Sequence, residues 1–299
     1  MLKQFRRKEE GSTIVIAAVS LTALIALLGL VIDGGMYFSE RTHLQKTANA
    51  AAISSAQELT GEDESQVLNI LEETLDHHHE LDSKVGHIIN MGEKVTVELG
   101  RTYDTTFMSL FGIDSIDVGA RATASLGSMG RAVGAAPLGI DESIELNYGE
   151  EYELKVDEED VDTGNFGVLA LEGPGASTYK DNLINGFQEE LEIGEVVDTQ
   201  TGNIAGPTQE AVDILINSCD NMYERNCPRI LLVPVYRPHN HNQNQMKEVE
   251  ITGFAYFYIT EPMDRQEKSI KGEFIERTGS GYELDEAPNK GAFTVRLSE

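Results

Sequence analysis

The sequence predicts an α+β protein: a long N-terminal helix, transmembrane at first and periplasm-side beyond, then a small α+β unit and a β-rich domain. Three observations carry this expectation. Residues 11–32 form an apolar run without a charge. Small residues then recur at the helical period between Leu44 and Leu59. From residue 136 onward, short strand-like segments are separated by Gly, Asp and Pro.

The apolar run, GSTIVIAAVSLTALIALLGLVI, holds 22 residues. At a rise of 1.5 Å per residue it extends roughly 33 Å, enough for a hydrocarbon core of about 30 Å. Lys3, Arg6, Arg7 and Lys8 precede it, and Asp33 is the first charge beyond it. The positive-inside rule therefore places residues 1–10 in the cytoplasm and everything after the span outside the cell, as a single-pass cell-membrane protein. A cleavable signal would have a shorter apolar stretch ending in a small-residue site. Val31-Ile32-Asp33 is no such site, so the span is expected to be retained. Ala18, Thr22 and Ala26 recur every fourth position on one face, which suits either close packing of a second helix or plain lipid exposure.

Beyond the span the helix is expected to continue, with at most a bend at Gly34-Gly35. Leu44, Ala48, Ala51, Ala52, Ser55 and Leu59 follow the i, i+3, i+4, i+7 spacing, and Gly61 supplies a stop. The face is small rather than bulky, so it should pack closely on a helix or sheet. Residues 62–82 read as a second helix, with Val67, Leu68, Leu71 and Leu75 on one side. Residues 94–103 alternate as a strand with Val95, Val97 and Leu99 on one face. A short helix over 106–111 and a strand over 115–125 complete a unit spanning 33–127.

The glycines at 127 and 130 signal a linker over 128–135. The β-rich acidic domain then covers 136–299, with strands expected at 143–146, 152–156, 167–171, 230–236 and 249–259 and a helix over 208–217. From residue 277 hydrophobic clusters are few before 293–297, which allows partial mobility.

The formal net charge is −28. Residues 1–60 carry six basic and five acidic side chains, so the excess lies in the ectodomain. Such a surface repels phosphate backbones and excludes nucleic acid as a partner. Cys219 and Cys227 are the only cysteines; in an oxidising compartment an even count favours a disulfide, and no nearby His marks a nucleophilic thiol. His77-His78-His79 and His239-x-His241 lack zinc-site spacing, and the acidic run 157–160 lacks the ligand order of a calcium loop. The glycines of 164–175 form no phosphate-binding signature, leaving Tyr179 and Lys180 as ordinary surface residues. No catalytic set, metal or cofactor is expected.

The ordered features Gly11, Gly29, Asp33, Gly34 or Gly35, Tyr37, Arg41, Leu44-Gln45 and Ala48-Asn49-Ala50-Ala51-Ala52 resemble the N-terminus of TadE/TadG-like proteins of Tad (Flp) pilus assembly. The resemblance covers residues 6–60; Asn49 stands where the family usually has Asp. It implies a membrane-anchored, pseudopilin-like component of a Tad pilus or related secretion machine. Its partners would be membrane lipid and other pilus-assembly proteins, or further copies through the N-terminal helix. Prepilins are cut after a Gly with Glu at the fifth mature position. Ile16 occupies that place relative to Gly11, which favours an uncleaved, TadG-like anchor. The metal-dependent adhesion motif Asp-x-Ser-x-Ser of many TadG proteins is missing. The blocks GNFGVLAL, TGNIAGPTQEAVDILI, CPRILLVPVY and VEITGFAYFYI resemble a domain that accompanies this anchor in some Gram-positive proteins. Two other readings stay open: a tethered extracellular hydrolase or ligand-binding receptor built on the β-rich domain, and a pilin-like filament subunit.

Overall fold

A computed structural model describes residues 10–155, 166–200, 204–239, 247–263 and 268–298. Its first element, α1 (Glu10–Ala56), is one uninterrupted helix of 47 residues. At 1.5 Å per residue it is about 70 Å long. It carries no Pro, and Gly34 and Gly35 sit within it without breaking it. Its two halves meet different surroundings. From Ile14 to Ile32 the large apolar side chains are exposed, whereas Leu44, Ala48, Ala51, Ala52, Ser55 and Leu59, a stripe running just past the helix end, are buried. This chain covers one face of the helix from about Ala26 onward.

The covering elements follow directly. α2 (Glu64–His77) starts at Asp63, whose carboxylate accepts the Ser65 N–H at 2.8 Å, a side-chain N-cap. Its residues Val67, Leu71 and Leu75 are buried against α1, and Leu68 is half-buried. The helix is shorter than the 62–82 expected, and a single 3₁₀ turn, Leu81–Ser83, leads into the sheet. Strands β1 (Lys84–Asn90) and β2 (Lys94–Asp104) form an antiparallel hairpin. β3 (Ser115–Ala132) then pairs with β2 from Asp104↔Ser115 to Lys94↔Ser125. Val95, Val97 and Leu99 of β2 face α1 together with Val118, Ala120, Ala122 and Ala124 of β3. Alanines on both helix and strand bring the two backbones close, which is what a small-residue face is suited to do.

The stretch 128–135 is not a linker. β3 runs through it to Ala132 as an 18-residue strand, with Met129 buried. Gly127 and Gly130 are cleared positions rather than turn positions, whereas Gly134 takes a positive φ of 93°. A Cβ on Gly127 would lie 2.3 Å from the Glu283 carboxyl carbon, and one on Gly130 would lie 2.5 Å from Leu284 Cβ. The Leu284 Cβ crossing at Gly130 leaves no room for a side chain, while the Glu283 carboxylate at Gly127 could swing aside, and sequence alone cannot separate such clearance from flexibility.

β4 (Leu138–Asp141) and β5 (Glu151–Lys155) come next. The strand expected at 143–146 is a turn, fixed by Asp141 accepting the Ser143 N–H at 2.9 Å. β6 (Phe166–Val168), α3 (Ala176–Asn185), β7 (Leu191–Glu192), β8 (Val196–Asp198) and α4 (Ala205–Leu215) follow. Then come the long strands β9 (Ile230–His239) and β10 (Glu248–Ile259), and β11 (Ser269–Ile275). These build a second sheet in the order β5-β11-β10-β9-β4-β6, with β8 on β10 and β4 parallel to β9. Helices α3 and α4 cover one face, where Leu183, Val212 and Leu215 meet Val233, Val235 and Phe257. The neighbouring Leu232 and Tyr236 point to the other face and join Met129, Leu191 and Ala292.

Residues beyond 277, expected to be partly mobile, form β12 (Arg277–Thr278), β13 (Gly281–Glu283) and β14 (Ala292–Ser298). β14 returns to the first sheet and pairs antiparallel with β3, Phe293↔Ser128 to Ser298↔Thr123. A boundary at residue 136 therefore does not separate two independent halves.

Candidate functional site at the helix–hairpin seam

Gly29, Asp33, Tyr37, Arg41 and Gln45 are spaced by four and so follow one ridge of α1. That ridge lies along the β2–β3 hairpin. At its lowest point a Cβ on Gly29 would be 2.5 Å from Phe107 Cβ and 2.8 Å from its ring. Only a glycine lets Phe107, in the connection between β2 and β3, sit against the helix there. One turn higher, Asp33 is fully buried. Its carboxylate accepts the backbone N–H groups of Thr106 at 3.0 Å, Phe107 at 2.8 Å and Met108 at 2.6 Å. Those three donors open the 3₁₀ turn Met108–Phe111, so Asp33 caps a helical turn more than seventy residues away in sequence. An amide could not replace it cleanly, because its NH₂ would face an N–H.

Further along, Tyr103 donates its hydroxyl to Met36 Sδ at 2.9 Å, and Tyr37 packs half-buried against the alanine-rich core. Leu44 is buried in that core. Gln45 donates to the Arg121 carbonyl at 2.8 Å and to Asn49 Oδ1 at 2.9 Å. Gly34 has open space around it, and Arg41 is exposed, lining a shallow groove of about 780 Å³ between α1 and the first sheet. Gly11 lies in the first turn of α1. Ala18 and Thr22 are exposed, Ala26 is half-buried, and Thr22 returns its hydroxyl to the Ala18 carbonyl at 2.9 Å.

A second cluster, which sequence reasoning missed, braces the same seam. Glu80, 3 % exposed, meets His43 of α1 at 3.0 Å, Ser83 at 2.5 Å and Arg101 of β2 at 2.5 Å. Arg101 also reaches Glu40 of α1 at 3.4 Å. Burial pushes the Glu80 carboxyl up, but the Ser83 hydroxyl, the Arg101 guanidinium and His43 outweigh it and hold the group below the usual range. Only a chain fold that closes α2 back on β1 brings these residues together, so no local pattern announced them.

The remaining candidates stand apart. Cys219 and Cys227 are joined in a disulfide, Cα–Cα 5.4 Å. His77, His78 and His79 are exposed at the end of α2, and His239 lies 3.8 Å from Glu250, itself held by Arg237 at 2.7 Å. Among the described residues no three His, Cys, Asp or Glu side chains converge as a metal site would require. Tyr179, expected at the surface, is buried beneath α4 and hydrogen-bonded to Thr208 at 3.0 Å; Lys180 pairs outside with Glu210. The basic residues 3–8, the run 157–160, Gly164 and His241 lie outside the described residues.

α1 is long and apolar enough to cross a membrane. Residues 11–58 match the model of the family described as putative Flp pilus-assembly TadE/G-like, which spans α1 and the turn that follows it. That segment is similar to TadE/G-like proteins, and a β-rich region follows it. No curated protein and no solved structure matches the chain.

Proposed function

We propose that the chain is a membrane-anchored, non-enzymatic structural component of a Tad/Flp-type pilus-assembly machine, pseudopilin-like in build. Residues 1–10 lie in the cytoplasm, 11–32 span the cell membrane once without cleavage, and the acidic ectodomain stands outside. The observation that carries this reading is the seam. Of the positions shared with the pilus-assembly family, Gly29, Asp33, Tyr37, Leu44 and Gln45 fasten the span to the first sheet, while Gly34 and Arg41 do not. A helix exposed over residues 13–25 and held by the β2–β3 connection and the first sheet beyond them transmits position and force from membrane to ectodomain. The face of exposed Ala18 and Thr22, with half-buried Ala26 at its upper end, offers a close-packing surface to helices of other assembly proteins or of further copies.

The test is genetic and visual: delete the gene, image surface filaments, then complement with wild type and with Asp33→Ala expressed at equal level. Loss of pili restored by wild type but not by Asp33→Ala is expected. Normal pili in the deletion strain would overturn the assignment.

A further inference from the structure

The connection between β2 and β3 touches α1 at a height where a soluble loop would not be placed. Phe107 rests on Gly29, three residues short of Ile32, the last residue of the uncharged run. That contact is about 4.5 Å below the end of the apolar segment at the rise of an α-helix. The connecting residues 105–113, TTFMSLFGI, carry no charge in a chain of net −28, and the exposed Asp104 and Asp114 bracket them. Leu110 is 75 % exposed, Phe111 67 % and Ile113 43 %. In water this would be an unexplained apolar tip.

The backbone of the same residues is closed on itself. Asp33 takes the N–H groups of 106, 107 and 108. Leu110 N–H donates to the Phe107 carbonyl, Gly112 to Ser109 and Ile113 to Met108. The Ser109 hydroxyl donates to the Thr106 carbonyl at 3.1 Å, and the Thr105 hydroxyl to the Ile113 carbonyl. Irregular backbone is tolerated beside hydrocarbon only when its polar groups are satisfied within the protein, and here the N–H groups of 106–108, 110, 112 and 113 are.

The geometry points to a second membrane contact: the β2–β3 tip inserts Leu110, Phe111 and Ile113 into the lipid leaflet on the ectodomain side, at the edge of the hydrocarbon. This rests on the reading of residues 11–32 as a membrane span. The occupant is lipid because the tip is continuous with the lipid-facing surface of α1. Two contacts, helix and tip, fix both the depth and the rotation of the ectodomain over the bilayer, which a single helix leaves free.

The chain contains no Trp, so one introduced indole reports without background. Full-length chain in vesicles of phosphatidylcholine and phosphatidylglycerol at low protein density would carry Phe111→Trp, Ile25→Trp or Tyr223→Trp, all exposed positions. Lipids brominated near the headgroup or near the chain end serve as quenchers. The expected result is blue-shifted Phe111→Trp emission, quenched severalfold more by shallow than by deep bromines. Ile25→Trp should be quenched best by deep bromines, and Tyr223→Trp by neither. Quenching at residue 25 with none at residue 111 overturns the tip insertion and leaves the anchor standing. No quenching at residue 25 overturns the anchor and the tip together. A blue shift at residue 111 without quenching, growing with protein density, assigns the tip to a second copy and likewise overturns the inference.

Discussion

Gly29→Ala sets two effects of known size against each other. Replacing a mid-helix glycine by alanine ordinarily favours the helix by about 1 kcal/mol. Here the new methyl would lie 2.5 Å from Phe107 Cβ and 2.8 Å from Cγ, well inside contact distance. Overpacking of this kind costs about 1–3 kcal/mol, so the net effect disfavours the seated loop by up to about 2 kcal/mol. The readout is amide exchange at Thr106, Phe107 and Met108, whose protection comes from the Asp33 carboxylate. A net loss of about 1–2 kcal/mol speeds their exchange roughly 5- to 30-fold. Gly34→Ala and Gly35→Ala are internal controls, since nothing lies within 4 Å of either new methyl. They keep the helix gain alone and should leave those three amides as protected as before. Phe107→Ala completes a cycle: in that background Gly29→Ala should be neutral or favourable, because the obstacle is gone. The same effect of Gly29→Ala with and without the Phe107 ring would refute the close-approach argument.

Leu71→Ala empties a fully buried site between α1, α2 and the first sheet, and a loss of about 2–5 kcal/mol is expected from the shift of the chemical-denaturation midpoint. The Glu80 carboxyl is held below its ordinary value near 4.5, so its stabilising effect is full above that value and fades as pH falls through the lower folded-state value. Melting followed from pH 7 downward should show an acid-side loss that is reduced in Glu80→Gln, at the cost of lower stability at neutral pH. Reducing the Cys219–Cys227 bridge, eight residues apart, should cost about 2.5 kcal/mol in the chain-entropy picture, measured as a denaturation shift that Cys219→Ser reproduces without reductant. The same loop holds Arg225 against Glu58 at 2.9 Å, so proteolysis near 219–227 should rise in parallel.

What could be read from the chain divides along physical lines. The Leu44 to Leu59 stripe and the alternation of Val95, Val97 and Leu99 were legible because burial on one face imposes a period on neighbouring residues. The family positions on α1 were legible as a pattern, but their partners were not, since Thr106–Met108 and Arg121 lie far along the chain. Gly127 and Gly130 misled, because a glycine cleared for Glu283 and Leu284 looks the same as one in a flexible joint. α3 escaped notice because a short helix ending in polar residues has little apolar rhythm, and so Tyr179 was placed outside. β14 was recognised as a hydrophobic cluster, but a pairing partner so distant in sequence cannot be read from either strand alone.

That pairing has a consequence for biogenesis. β3 is synthesised early, yet its neighbour β14 emerges roughly 165 residues later, a delay of roughly 8–30 s at ordinary translation rates. Until then one flank of the first sheet presents open backbone groups. A product truncated before residue 292 would leave that flank of β3 unpaired. The first sheet is therefore closed by a pairing that spans more than half of the sequence, and its β3 flank has no such neighbour until both strands exist.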